Sequence, residues 1–403
     1  LLLLLGAWLL GAACGPKEEP LAPDTTTWAE LRTVRRGITV VPPSGPERAP
    51  YPRERLADGT TVRVDAGGLA WIRHDGGTTL LVRGPARLRQ RPAAFELEQG
   101  RVFVDVPPDQ TSQLVTPRGP MTLAAVRASV EVPPGGSPEA YVLRGEVRGW
   151  GVRARAGERL VHEGKAVKAV AAVAWEDWTG GLGTTDRAPA PAPFGIGTVG
   201  ARRPGEQGNA RFPLAIQKLA VKVEVRGDFA LTEVEETFFN PSSEVVEGIY
   251  GFRTPPGATL ERFGVDRGGR LAWGHVKEKA AAAAQYQSNV YAGSTEDPAL
   301  LEWEAAGVYR ARLYPIQAGE TRRVVVRYSE WLGRTGAKGE RRLYVFPMAA
   351  EGAEESLPRI EELTFALDLG AARATVVRAG MAGVRRGNEI RVRAQDLVPR
   401  SDL

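Results

Sequence analysis

Between Leu214 and Leu332 apolar and polar residues alternate with the period of a β-strand. Val221, Val223 and Val225 fall on one side of the pattern, and Lys222, Glu224 and Arg226 on the other. A period of two sets one face against a core and leaves the other in water. Asn240-Pro241 and Thr254-Pro255-Pro256-Gly257 punctuate this pattern as turns. From Lys277 to Tyr291 the pattern changes to helix formers, with five consecutive alanines. The region therefore predicts a β-sandwich with one short inserted helix.

A second β-rich region runs from Gly37 to His162. Its clearest strands are Thr61–Val64, Leu69–Arg73, Thr78–Arg83, Phe95–Glu98, Val102–Val106, Ser129–Val132 and Tyr141–Leu143. Short strands at a spacing of about 8–12 residues point to an all-β sandwich, barrel or solenoid. Asp58-Gly59, Asp75-Gly76-Gly77 and Pro134-Gly135-Gly136 supply its turns. Val167, Val170, Ala171, Ala174 and Trp178 share a helical face, which predicts a short helix over Lys165–Trp178. Gly181 to Gly208 is rich in Gly, Pro and Ala without a period and reads as a linker. Beyond the sandwich, Arg342–Phe346, Glu362–Leu369, Ala374–Val377 and Glu389–Val392 read as further strands.

The fold class is thus mainly β. The expected organisation is a leader over 1–14, a tether over 15–36 and a β-domain over 37–165. A helix and linker follow over 166–209, then a β-sandwich over 210–334 and a β-rich extension over 335–403. The extension ends without a capping element, so further chain is expected after Leu403.

Charge changes this picture little. Fifty-three basic and 48 acidic residues give a net charge of +5 and a pI near 9.4. The arginines are spread singly through strands and form no dense basic cluster with interleaved aromatics, so no nucleic-acid partner is expected. Cys14 is the single cysteine, which excludes a disulfide within one chain. It follows the apolar run Leu1–Ala13, which is shorter than the roughly 20 residues a spanning helix needs and suits a signal-peptide core. The chain opens without Met or a basic segment, as expected of a leader whose start lies upstream.

Motifs for chemistry are sparse. Gly195-Ile196-Gly197-Thr198-Val199-Gly200 spells a dinucleotide fingerprint, but prolines flank it where that site needs a strand and a helix. It reads as linker, and no cofactor is expected. His74, His162 and His275 are far apart in sequence and have no Cys or His beside them, so no metal site is expected. Glu233, Glu235 and Glu236 read as a solvated strand face. Catalytic spacings of the H-E-x-x-H, G-x-S-x-G or P-loop kind do not occur, so no catalytic residue is assigned and no enzyme or small-molecule substrate is expected. The alanine-rich helix reads as closing one end of the sandwich, with partner docking as the alternative.

Two stretches resemble known families. Ala230, Thr232, Val234, Phe239-Asn240-Pro241, Tyr250, Phe252, Gly274, Val276, Glu278-Lys279, Tyr286, Tyr309, Arg312, Pro315-Ile316, Gly319-Glu320 and Tyr328 stand in the order seen in the vault protein inter-alpha-trypsin (VIT) domain. That resemblance implies a β-rich, non-enzymatic interaction module, often followed by a von Willebrand factor A domain. The metal motif D-x-S-x-S of such a domain does not occur in this chain. Leu56-Ala57-Asp58-Gly59-Thr60, Arg83-Gly84-Pro85, Phe95 to Val104, Val115-Thr116-Pro117 and Arg144-Gly145-Glu146-Val147 are similar to a FecR-type periplasmic β-domain. Val126-Arg127-Ala128 departs from its pattern, where Gly-Thr is usual. Gly11-Ala12-Ala13-Cys14 resembles a bacterial lipoprotein cleavage box, with its leucine one place further back than usual; this implies acylation of Cys14 and a membrane tie through that lipid. The combined expectation is a non-enzymatic envelope lipoprotein whose β-modules bind protein partners or act in adhesion. A FecR-type signalling role acting on a sigma-factor pathway is the alternative.

Overall fold

The computed structural model describes residues 27–92, 94–164, 166–172, 175, 177–179, 182–183, 196–206, 210, 212–278, 300–305, 307–336, 338–348, 359–370, 383–399 and 402–403. Among these the chain is mainly β with no α-helix. Cys14 and its leader, the alanine-rich stretch after Glu278, the Ala-Pro repeat and Ala374–Val377 lie outside the described residues.

The N-terminal unit is one 13-stranded sheet wrapped about its own core. It contains every strand expected between Thr61 and Leu143. It also takes in two stretches whose sequence predicts other structure. Thr27–Arg35, expected as tether, is a strand between Glu54–Ala57 and Leu69–His74. Its Ala29 and Leu31 are buried at alternate positions. Ala166–Ala171, expected as helix, is an edge strand paired with Glu158–Glu163. Val167 and Ala169 pack on the core, which is strand spacing. In so short a window both periods fit, and the neighbouring strand decides. Pairing of Glu158–Glu163 with Glu139–Gly149 joins these two strands to the rest of the sheet.

The C-terminal unit is a sandwich of two sheets. The larger has eight strands in the order Arg270–Trp273, Thr259–Arg267, Thr321–Trp331, Phe229–Phe239, Ile216–Arg226, Ile360–Asp368, Glu389–Leu397 and Val384–Arg386. The smaller has six, in the order Phe212–Leu214, Thr198–Arg202, Val246–Arg253, Val308–Ile316, Leu300–Ala305 and His275–Glu278. Val221, Val223, Val234, Phe238 and Val326 from one sheet meet Tyr250, Phe252 and Leu313 from the other in a shared core. Two segments read as peripheral are integral to it. Thr198–Arg202, expected as linker, pairs with Val246–Arg253 and buries Val199 and Ala201. Ile360–Asp368, expected as extension, runs parallel beside Ile216–Arg226 and buries Ile360 and Leu363.

The two units share buried surface. In Leu69–His74 the first four residues are all buried. Ala70 and Ile72 join the N-terminal core, while Leu69 and Trp71 join the core of the sandwich. Leu81 and Phe103 do the same on adjacent strands. At these three strands the N-terminal sheet is therefore covered on both faces, its second face by the sandwich. Trp71 is fully buried there. Trp71→Ala should destabilise the chain by about 3–5 kcal/mol, the usual range for deleting a buried large aromatic. It should also split one unfolding transition into two, followed by urea titration with fluorescence and circular dichroism. A single transition shifted by less than about 1 kcal/mol would contradict the shared core.

Candidate functional site

The register of the larger sheet defines two ends. Phe239 pairs with Thr321, Ile216 with Ile360, and Ile360 with Leu397, so these positions mark the proximal end that meets the N-terminal unit. Phe229 pairs with Trp331 and Asp368 with Glu389 at the distal end.

Two turns form the proximal end, and Asn240 joins them. Its side-chain amide donates to the carbonyls of Ile316 and Gln317 at 3.1 Å and of Glu244 at 2.9 Å, while its oxygen accepts from the Ser242 hydroxyl at 2.6 Å. The Gly319 N–H donates to the Asn240 carbonyl at 2.8 Å. Trp71 sits against both turns. Its indole N–H donates to the Pro241 carbonyl at 3.0 Å, and its ring meets Phe239 edge-on at 6.3 Å. Arg32 stacks over the Trp71 ring at 5.2 Å and donates to the Gly319 carbonyl. Gly319 has φ +68°, and a Cβ there would stand 2.4 Å from the Trp71 ring, so only glycine fits.

Charged groups complete the seam. Asp105, nearly fully buried, lies 3.2 Å from Arg127 and accepts from the Ser243 N–H and hydroxyl, each at 3.2 Å. Arg35 pairs with buried Glu361. Arg83 and Arg359 converge on Asp396 from opposite units. Burial works against ionisation of Asp396, but hydrogen bonds from these two arginines outweigh it and hold the carboxyl below the usual aspartate value. Asp396 sits at φ +57° near the end of Glu389–Leu397, one residue before Leu397 pairs with Ile360. The Gln217 amide donates to the Val34 carbonyl at 2.7 Å.

Residues 216–328 match the family model of the vault protein inter-alpha-trypsin domain. The match covers a little over a quarter of the chain. Within the VIT domain, Asn240, Pro241 and Gly319 build the seam turns, whereas Tyr250, Phe252 and Tyr328 fill the core. No curated protein matches the chain. Among solved structures, the M1 zinc metallopeptidase from Deinococcus radiodurans aligns with 46% of this chain and 39% of its own length, at 11% identity and a TM-score of 0.23. A mutant of that enzyme bound to a tripeptide substrate aligns over 45% and 39%, at 13% identity and a TM-score of 0.24. This chain thus spans about two fifths of the peptidase's length. Overlap at that level supports no conclusion about either fold or chemistry.

Inside the VIT domain lies a buried acid. Glu236, expected on a solvated face with Glu233 and Glu235, is fully buried, while the other two are half-buried on the outer face. Strict alternation from Ala230 through Thr232 and Val234 carries it inward. The carboxyl accepts from the Gly197 N–H at 2.6 Å and the Tyr250 hydroxyl at 2.9 Å. A Cβ on Gly197 would stand 2.2 Å from the Tyr250 ring, so the second glycine of the apparent dinucleotide fingerprint serves close packing. Burial pushes the Glu236 pKa up to about 7, against the two hydrogen bonds that lower it.

The three histidines remain apart. His74 accepts from the Gly76 N–H at 3.1 Å, His162 lies 4.8 Å from Trp150, and His275 belongs to the strand His275–Glu278 of the smaller sheet. Among the described residues no group of three or more His, Cys, Asp or Glu could hold a metal ion, and no helix is long and apolar enough to cross a membrane.

The seam residues Arg35, Trp71, Asp105 and Asp396 escaped sequence reading. A signal existed: Leu69–Ile72, Leu80–Val82 and Val102–Val104 are unbroken apolar runs, the mark of a strand buried on both faces.

Glu236 also sets a pH dependence. Its folded pKa lies above the unfolded value near 4.5, so the folded state holds the proton between about 4.5 and 7. Stability therefore falls as pH rises through that window, by a few kcal/mol in all. Glu236→Gln should flatten this slope and be the more stable form above pH 7. Urea midpoints from pH 5 to 8 with the same slope in both proteins would contradict it.

Proposed function

We propose that this chain is a non-enzymatic protein of the bacterial cell envelope, held to a membrane by a lipid on Cys14, whose β-modules bind protein partners. The observation that carries the reading is the seam. There the VIT domain grips a folded β-unit through a buried tryptophan, arginine ion pairs and hydrogen bonds from two turns. Buried Trp and Arg surrounded by polar contacts are the usual composition of a protein-binding hot spot. The VIT match supports the same reading, since it includes the two turns that hold Trp71, while Glu361, Arg359 and Asp396 lie beyond the matched residues. Turns at the ends of a sandwich, placed by a rigid double sheet, are suited to recognition.

Two measurements test it. In fractionated cells the wild-type chain should pellet with membranes and Cys14→Ala should become soluble; a variant that still pellets removes the lipid from the account. A photoreactive residue at the exposed position Trp303, which is 53% accessible, should give discrete adducts with other envelope proteins in living cells. Uniform absence of adducts there and at other exposed positions would remove the partner.

A further inference from the structure

The distal end of the sandwich, just past the residues matched as VIT, has a composition unlike the seam. Trp331 is 74% exposed and Leu343 is 55% exposed. Between them runs a two-stranded hairpin, Gly333–Thr335 paired with Arg341–Leu343. The chain from Trp331 to Leu343 carries Arg334, Lys338, Arg341 and Arg342. Glu340 lies 4.0 Å from Arg341 and Asp228 pairs with Arg334 and Arg342, so the hairpin and its root keep an excess of bases over these two acids. Arg334 and Arg341 are 67% and 59% exposed at their side chains.

The root of this hairpin is fixed. Asp228 accepts from Arg334 at 2.9 Å and from Arg342 at 2.6 Å, and its carbonyl takes the Leu332 N–H at 2.8 Å. Phe229 supports the Trp331 ring edge-on at 5.5 Å. The indole is thus held by a rigid base while most of its surface faces water. Burial also lifts the pKa of neighbouring Glu330 to about 7, which weakens negative charge at this end.

We propose that this end is a contact site for an anionic lipid surface. The chemistry fits term by term. A tryptophan with an apolar ring and a polar N–H partitions to the headgroup boundary. Leu343 beside it adds apolar area, and the flanking bases meet the negative surface potential of acidic lipids. A protein-binding hot spot is instead seated in a well-packed environment, as Trp71 is. This site lies at the opposite end of the sandwich from the seam and is independent of the lipid on Cys14.

The test uses the full chain mixed with vesicles of brominated phosphatidylglycerol and phosphatidylcholine. Bromine should quench a component of tryptophan fluorescence that Trp331→Phe lacks. The component should shrink about tenfold or more in the double variant Lys338→Glu, Arg341→Glu, and in vesicles of brominated phosphatidylcholine alone. Both substitutions lie on exposed side chains away from the core, and an unchanged urea midpoint confirms the fold. Equal quenching in wild type and Trp331→Phe would overturn the proposal, as would quenching indifferent to phosphatidylglycerol. Binding of polyglutamate that shifts Trp331 emission, without bromine quenching, would assign the end to an acidic polypeptide and equally overturn it.

Discussion

Everything in this architecture leans on Trp71 seated between two turns of the VIT domain. Its strand has a core on each side, so the sheet that would otherwise turn one apolar face to water is covered. That constraint reaches outward. Gly319 must lack a side chain, Asn240 must tie the two turns, and Arg32 must lie across the ring. The burial is hydrophobic in its driving force and polar in its specificity. The indole N–H donates to Pro241, and Arg35, Asp105 and Asp396 each have an ion-pair partner, where an unpaired charge would be costly.

Arginine is the second organising element. Many of the described arginines are paired with acids, so the excess of bases behind the basic pI is small. Lys222 faces Glu233, Arg323 faces Glu235, and Arg327 faces Glu261 across the outer sheet face. Such exposed pairs contribute little individually. At the seam the same residue type is buried, and losing Arg35 alone would leave the Glu361 carboxylate buried without its ion-pair partner. Burial there even lowers the Arg35 pKa below its ordinary value, despite the nearby Asp396 carboxylate. These ion pairs fix which faces meet, whereas Trp71 and its apolar neighbours supply most of the attraction.

The sandwich was legible because alternation over Val221–Arg226 and the turn residues after Phe239 point the same way. The VIT resemblance fell on the residues that the family model matches. Where reading failed, a local signal was ambiguous or its partner was distant. Ala166–Ala171 suits either period, and only Glu158–Glu163 beside it selects the strand. Thr198–Arg202 sits in Gly- and Pro-rich sequence, yet pairing with Val246–Arg253 orders it. Glu236 followed the alternation inward, but its charge argued outward; Gly197 and Tyr250, far away in sequence or across the core, supply the hydrogen bonds. The seam could not be located from local patterns, because Trp71 and Pro241 are 170 positions apart.

Through the shared core at Trp71 the N-terminal unit and the sandwich form one body. The most direct measurement is the distance distribution between spin labels at Arg155 and Arg226, exposed positions on the two units, with Cys14 replaced by Ser. A single narrow distribution that broadens when Trp71 is changed to Ala is the predicted result. A broad distribution in the otherwise wild-type chain would mean that the units move independently, and the account would fail.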